Sequence, residues 1–280
     1  MIIYYRISSS SYEKPRMPGA SKKVCLENFL NIFGEFDIHL IKDNCNDEIE
    51  KEISKVLRRF PLIKQEKTEL GNSGSFKYVY NKAIQNDPNE IIYFVEDDYL
   101  HHPDASKIIF EGLMVGEYTT LYDHPDKYTQ EYDYGEIGKI VRSKTHHWKH
   151  SISTTMTFAS RVSTLIEDKD VWLKHCDGPH PNDHAAFCEL RKKLSVAIPG
   201  LAFHNDLACY TFFPTEKMPD IEKWVLDYLK DILVQQIYSC NDGDMEDIMH
   251  ELLYHKEMES IPRMICLEQI LEMKKRGRQN

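Results

Sequence analysis

Short strand-like runs alternate with amphipathic helical patterns from Ile2 to Glu96, and few folds accommodate that alternation. Ile2–Tyr5 predicts a strand, followed by a loop bearing Pro and Gly, SSSSYEKPRMPGAS. Lys22–Phe33 then spaces Val24, Leu26, Phe29, Leu30 and Phe33 as a helix would. Phe36–Ile41 predicts a second strand ending at Lys42, Asp43 and Asn44. Asp47–Arg59 follows as its helix, with Ile49, Ile53, Val56 and Leu57 on one stripe. A short strand near Ile63–Glu66, a small-residue loop at Gly71–Ser75, a helix over Phe76–Gln85 and a strand at Ile91–Val95 complete the series. Such an order predicts an α/β fold, Rossmann-like, with a mostly parallel sheet flanked by helices and ligands gathered beyond the carboxyl ends of the strands.

The pattern loosens after Asp98. Ala105–Val115 predicts a helix, Tyr118–Tyr122 and Ser153–Phe158 predict strands, and Ser163–His175 and Asp183–Lys193 predict helices. AIPGLAFHND supplies a further strand and loop. From about Glu216 the chain reads as charged amphipathic helices ending in KKRGRQN, which divides it into a domain over 1–215 and a C-terminal helical appendage over 216–280. That appendage could form a homo-oligomer, cover a site or touch an anionic membrane peripherally.

Composition narrows the function classes. With 280 residues and 41% hydrophobic content the chain can fill a core and is expected to be soluble. Its 35 basic against 45 acidic side chains, a formal charge of −10, argue against a broad nucleic-acid surface. The seven cysteines are scattered without a C-x-x-C pair, and MIIYYRISSSS lacks the pattern of a signal peptide. Reduced thiols in a cytoplasmic protein are therefore expected, without structural zinc. No window approaches the ~20 apolar residues of a membrane span.

The chemistry concentrates in IIYFVEDDYLHH. Glu96, Asp97 and Asp98 follow a strand directly, where their side chains can meet solvent or a ligand while the backbone is held. A divalent cation would relieve their repulsion, since Mg²⁺ and Mn²⁺ bind through one or two carboxylates plus substrate phosphates. A solvated turn is the plainer alternative. The small-residue loop, with Gly74 and Ser75, could present backbone N–H groups to an anion, although it matches neither a Walker motif nor G-x-G-x-x-G, and a plain turn-and-cap remains open.

At these residues the sequence resembles the nucleotide-sugar-dependent glycosyltransferases of the A-type fold, family-two-like, in which a Rossmann-like half ends in a D-x-D motif. Glu96, Asp97 and Asp98 match the motif, and the resemblance covers roughly residues 1–213 in order of elements. It implies that Asp98 coordinates the metal bridging the donor diphosphate, and that Glu96 and Asp97 contact ribose, sugar or metal-bound water. Asp43 would meet the nucleoside, unless it is a helix N-cap. The segment after the first strand, with Tyr5, Arg6 and Ser8, would pack against the base.

The same resemblance makes Asp183, beside Asn182 and His184 in GPHPNDHAAFCEL, the base that takes the acceptor proton, unless it only caps a helix. It makes His204 a further metal ligand, which favours Mn²⁺ over Mg²⁺. Trp148 in KTHHWKH could stack on a sugar, and Thr155 in STTMTF could line an acceptor pocket. The implied activity is metal-dependent transfer of a sugar from a nucleotide-sugar, UDP-linked by preference, to a hydroxyl of a glycan or lipid-linked acceptor, inverting, in glycan biosynthesis. The alternatives are a nucleotidyltransferase acting on sugar phosphates and a non-catalytic carbohydrate-binding or assembly protein.

Overall fold

The structure is a computed structural model and describes residues 1–9, 20–123, 140–152, 154–190 and 194–205. Three expectations lie outside these residues: the C-terminal helices over 216–280, the basic tail and the loop at 10–19.

Seven elements follow the sequence expectation closely in order and type. They are β1 (Ile2–Ser8), α1 (Lys22–Phe33), β2 (Asp37–Asp43), α2 (Asp47–Leu57), β3 (Lys64–Thr68), α3 (Gly71–Ala83) and β4 (Ile91–Glu96). Side-chain caps start two of the helices: Ser21 accepts from the Val24 amide of α1, and Asn46 accepts from the Ile49 amide of α2. The small-residue loop expected at Gly71–Ser75 is instead the first turn of α3. Gly71, at φ 74°, makes the left-handed entry that other residues rarely adopt.

The chain continues through β5 (Tyr99–His101), α4 (Ala105–Gly112), β6 (Tyr118–Thr120), β7 (Val141–Arg142), β8 (His147–Ser151) and β9 (Phe158–Arg161). It closes with α5 (Val162–Glu167), α6 (Lys169–Lys174), α7 (Asp183–Leu190), β10 (Leu194–Ile198) and β11 (Ala202–His204). Two expectations shift. The strand expected over Ser153–Phe158 begins only at Phe158, and the helix over Ser163–His175 is two short helices; KTHHWKH belongs to the β7–β8 hairpin.

The large sheet has the order β3-β2-β1-β4-β9-β6-β10-β8-β7. All strands but β8 and β9 run in one direction, so the sheet is mixed yet mostly parallel. Its first four strands have the 3-2-1-4 order of a doubly wound fold, which reverses between β1 and β4 and opens a crevice at their carboxyl ends. A second, two-stranded sheet pairs β5 with β11.

Strand pleating distributes side chains to two cores. Ile3, Tyr5 and Ile7 of β1, with Tyr93 and Val95 of β4, pack on one face against Leu26, Phe29 and Phe33 of α1 and Ile109 of α4. Tyr4, Ile92 and Phe94 pack on the other against Phe76 and Tyr80 of α3, Trp172 and Phe187. The second core is an aromatic stack: the Phe158 and Trp172 rings lie parallel at 4.8 Å, and Phe94 meets Phe158 edge-on at 5.4 Å.

Candidate active site

Alternation along β4 explains how three consecutive carboxylates are tolerated. Glu96 continues the face of Ile92 and Phe94, toward α3, while Asp97 continues the face of Tyr93 and Val95, toward α1. Each acid therefore meets its own counter-group. Arg6, the register partner of Glu96 in the β1–β4 ladder, places its guanidinium 3.0 Å from Glu96 Oε1. Arg6 also donates to the Asn72 carbonyl (3.0 Å), Asn72 Oδ1 (2.9 Å) and Ser75 Oγ (3.2 Å), and lies over the Phe76 ring.

Asp97 faces α1 and pairs with Lys22, at 2.6 Å, while its Oδ2 also accepts the Ser8 amide at 2.9 Å. Asp98, just beyond the strand, has its Oδ2 3.0 Å from Nε2 of His204 on β11. Tilted contacts with Tyr99 and Tyr122 hold that imidazole in place. Burial pushes the carboxyls of Glu96 and Asp97 above their usual range. The Arg6 and Lys22 charges pull the other way, and each acid is raised further by Asp98.

These groups line a cavity of about 500 Å³ at the crevice, within the range of small-molecule sites. Asp43 closes one side. Its Oδ1 accepts from Thr68 Oγ1 (2.8 Å) and the Leu70 amide (2.7 Å), and its Oδ2 accepts from Asn44. It is a buried acceptor at the end of β2 and does not cap α2, a role that Asn46 fills. Across the cavity stand Thr155, Met156, His180, Pro181 and Asp183. Asn182 caps α7 by accepting the Ala185 amide, which leaves Asp183 to point into the cavity and accept the Thr154 amide at 3.2 Å. Thr155 meets the Tyr99 hydroxyl.

The cavity thus gathers Arg6, Ser8, Asp43, Ser75, Glu96, Asp97, Asp98, Thr155, Asp183 and His204 from the sequence-based set. Five expected residues lie elsewhere. Tyr5 is fully buried under Phe29, because its place in β1 turns it into the core away from any bound base. Trp148 is fully buried too, with Nε1 donating to Ser143 Oγ at 2.9 Å, so no face is left for a sugar. Gly74 sits in α3 against Leu70, Asn182 serves as a cap, and His184 is on α7 beside Cys188.

Lys22, Asn72, His180 and Met156 were missed. Lys22 opens a helix in the sequence, where a lysine normally reads as solvated, and nothing local signals that it turns back toward β4.

Asp98 and His204 suit a divalent cation in kind and spacing. Two neighbouring ligands in octahedral geometry, each about 2.1 Å from the ion, are separated by roughly 3.0 Å. Among the described residues no three His, Cys, Asp or Glu side chains gather closely enough to hold a metal unaided. Phosphate oxygens and water would have to complete the shell. Burial pushes the Cys45 thiol up to about 11, leaving it protonated and a poor nucleophile. Among the described residues no helix is long and apolar enough to cross a membrane.

Fold and cavity together define a doubly wound α/β protein with an acid-lined ligand crevice at its switch point. No family model matches the chain, and no curated protein matches it. Among solved structures it is similar to the galactosyltransferase LgtC in complex with donor and acceptor sugar analogs, at 9% identity and a TM-score of 0.42 over 70% of this chain and 73% of that one. S. aureus TarS 1-349 in complex with UDP-GlcNAc is similar at 13% identity and a TM-score of 0.41, over 97% of this chain and 72% of that one. A 4-diphosphocytidyl-2C-methyl-D-erythritol synthase is similar at 12% identity and a TM-score of 0.42, over 75% and 95%. At these values the likeness says nothing about activity, which has to be argued from the cavity itself.

Proposed function

We propose that the protein is a glycosyltransferase that moves a sugar from a nucleoside-diphosphate sugar, UDP-linked by preference, to a hydroxyl acceptor. The observation that carries this reading is the placement of Asp98 with His204 and of Asp183 on one cavity at the switch point of the sheet. The pair suits a diphosphate-bound cation and Asp183 a proton acceptor. Mn²⁺ or Mg²⁺ held there would supply positive charge against the negative charge that develops on the departing diphosphate. Asp43 accepts from N–H groups of the nucleoside base. Asp97 accepts from hydroxyls of ribose or sugar, and Thr155 and Asp183 border the acceptor.

In the transfer step Asp183 removes the proton of the acceptor hydroxyl as that oxygen bonds to the anomeric carbon, and the bond from that carbon to the diphosphate oxygen breaks. Displacement from the opposite face inverts the anomeric centre. A nucleotidyltransferase would need a cation after β1 for a triphosphate; Arg6 and Lys22 are committed to Glu96 and Asp97, and Lys14 and Arg16 lie outside the described residues.

The test is calorimetric titration of UDP, GDP and dTDP into the protein with Mn²⁺ or with EDTA, repeated on Asp98→Ala. Mn²⁺-dependent binding of one nucleotide, abolished in the variant, is expected. Absence of binding under every condition would overturn the transferase reading.

A further inference from the structure

The β1–β4 ladder ends at Arg6 and Glu96, whereas β1 itself continues to Ser8, where it still pairs with Asp43 of β2. Among the described residues no strand pairs with the Ser8 peptide on its β4 side. Its amide donates to Asp97 Oδ2 at 2.9 Å, and its carbonyl accepts from the Lys22 ammonium, which also donates to Asp97 Oδ2 at 2.6 Å. Three groups from β1, α1 and the end of β4 close a ring in which side chains replace the missing ladder bonds. Lys22 and Asp97 are both 8% exposed, so neither charge is offset by bulk water.

Both bonds fall on Oδ2 of Asp97, and among the described residues Oδ1 accepts none. The carboxylate is thereby fixed in rotation with one oxygen left on the cavity side, and it is kept from turning toward the Asp98 and His204 pair.

We propose that Lys22 is the positioning residue of the crevice, setting the separation of the β1 and β4 ends and holding Asp97 as an acceptor for a ligand hydroxyl rather than a second metal-binding carboxylate. The ligand part of this inference rests on the transferase reading; the strand-end part does not.

The test uses the full chain as Lys22→Met, Asp97→Asn and the double variant. Lys22→Met is expected to speed hydrogen exchange of the Ser8 amide at least tenfold, with core amides such as Leu40 unchanged, and to weaken Mn²⁺-dependent UDP binding at least tenfold. The double variant, with both buried charges removed, is expected to melt at the wild-type temperature yet remain weak in UDP binding. Recovery of binding in the double variant would reduce Lys22 to a structural counter-charge and overturn the proposal. So would an unchanged Ser8 exchange rate in Lys22→Met, or in the double variant should the single one fail to fold. A wild-type protein that binds none of UDP, GDP and dTDP would sink the transferase reading alone, and the Ser8 exchange rate would still decide whether Lys22 fixes the strand ends.

Discussion

Glu96 and Asp97 are adjacent in the chain yet never share a partner, because the pleat sends one to Arg6 and the other to Lys22. Removing either cation leaves its carboxylate uncompensated. Glu96 is half-buried, so Arg6→Met should cost less, by chemical denaturation, than the about 3–5 kcal/mol for breaking one half of a fully buried pair. Pairing it with Glu96→Gln should return most of that stability, and a double variant no more stable than the single one would show that the guanidinium acts through Asn72 and Ser75 instead. For Asp183→Asn we expect kcat to fall about 10²–10⁴-fold, the usual range for a lost general base, with Mn²⁺-dependent UDP binding within about twofold of wild type. A fall in nucleotide affinity as large as the fall in kcat would move Asp183 from the acceptor side to the donor side.

Among the elements, the β7–β8 hairpin is fastened to α4 by one carboxylate. Glu111 accepts from the hydroxyls of Ser143 and Thr145 and from the Thr145 amide, and these bonds hold its carboxyl down at about 2. A folded-state value below the unfolded one gives stability that is complete above the ordinary glutamate range, near pH ~4.3, and is lost as pH falls toward 2. The protection factor of the Trp148 amide should therefore hold from pH 7 to 5 and fall steeply below 4, while in Glu111→Gln it should be lower at pH 7 and lose the steep fall.

Nearby, Gly112 lets α4 approach the sheet. A Cβ there would come 2.7 Å from the Trp148 ring and closer still to Thr119, so Gly112→Ala should destabilise by about 1–3 kcal/mol as overpacking does.

This hairpin was invisible in the sequence for a physical reason. Its strands are two and five residues long, His146 and His147 read as polar loop, and the clasp joins residues 111 and 145, which no local pattern connects. Of the first seven elements, by contrast, α1 and α2 carry their own side-chain caps and β1 and β4 are apolar runs, which made the series legible.

For the molecule as a whole, the sheet order and the crevice follow from the βα alternation, and Glu96–Asp98 marked the crevice in the sequence. What the sequence could not supply were partners that cross the fold, Arg6 with Asn72 and Lys22 with Asp97, each separated by tens of residues and brought together only by packing. Acid sensitivity should arise from the packing too. His101 is fully buried among Phe29, Phe33 and Tyr93, donating to or accepting from the Tyr93 hydroxyl at 2.8 Å, and burial pushes its imidazole down to about 3. Below pH ~6.5 the unfolded chain takes up a proton that the folded chain refuses, so stability should decline as pH falls from there toward 3. Urea midpoints at pH 7, 5 and 4 should fall less steeply in His101→Phe; equal slopes would assign the decline to other groups.

The amide of Asn205 bonds to the carbonyl of Asp98 at 2.8 Å, directly beside the His204 and Asp98 pair. That bond ties Asn205 to the last acid of the strand end. Asn205→Pro, which has no amide hydrogen to give, would slacken the grip on Asp98, and its first effect would be read in nucleotide binding before it was read in melting temperature.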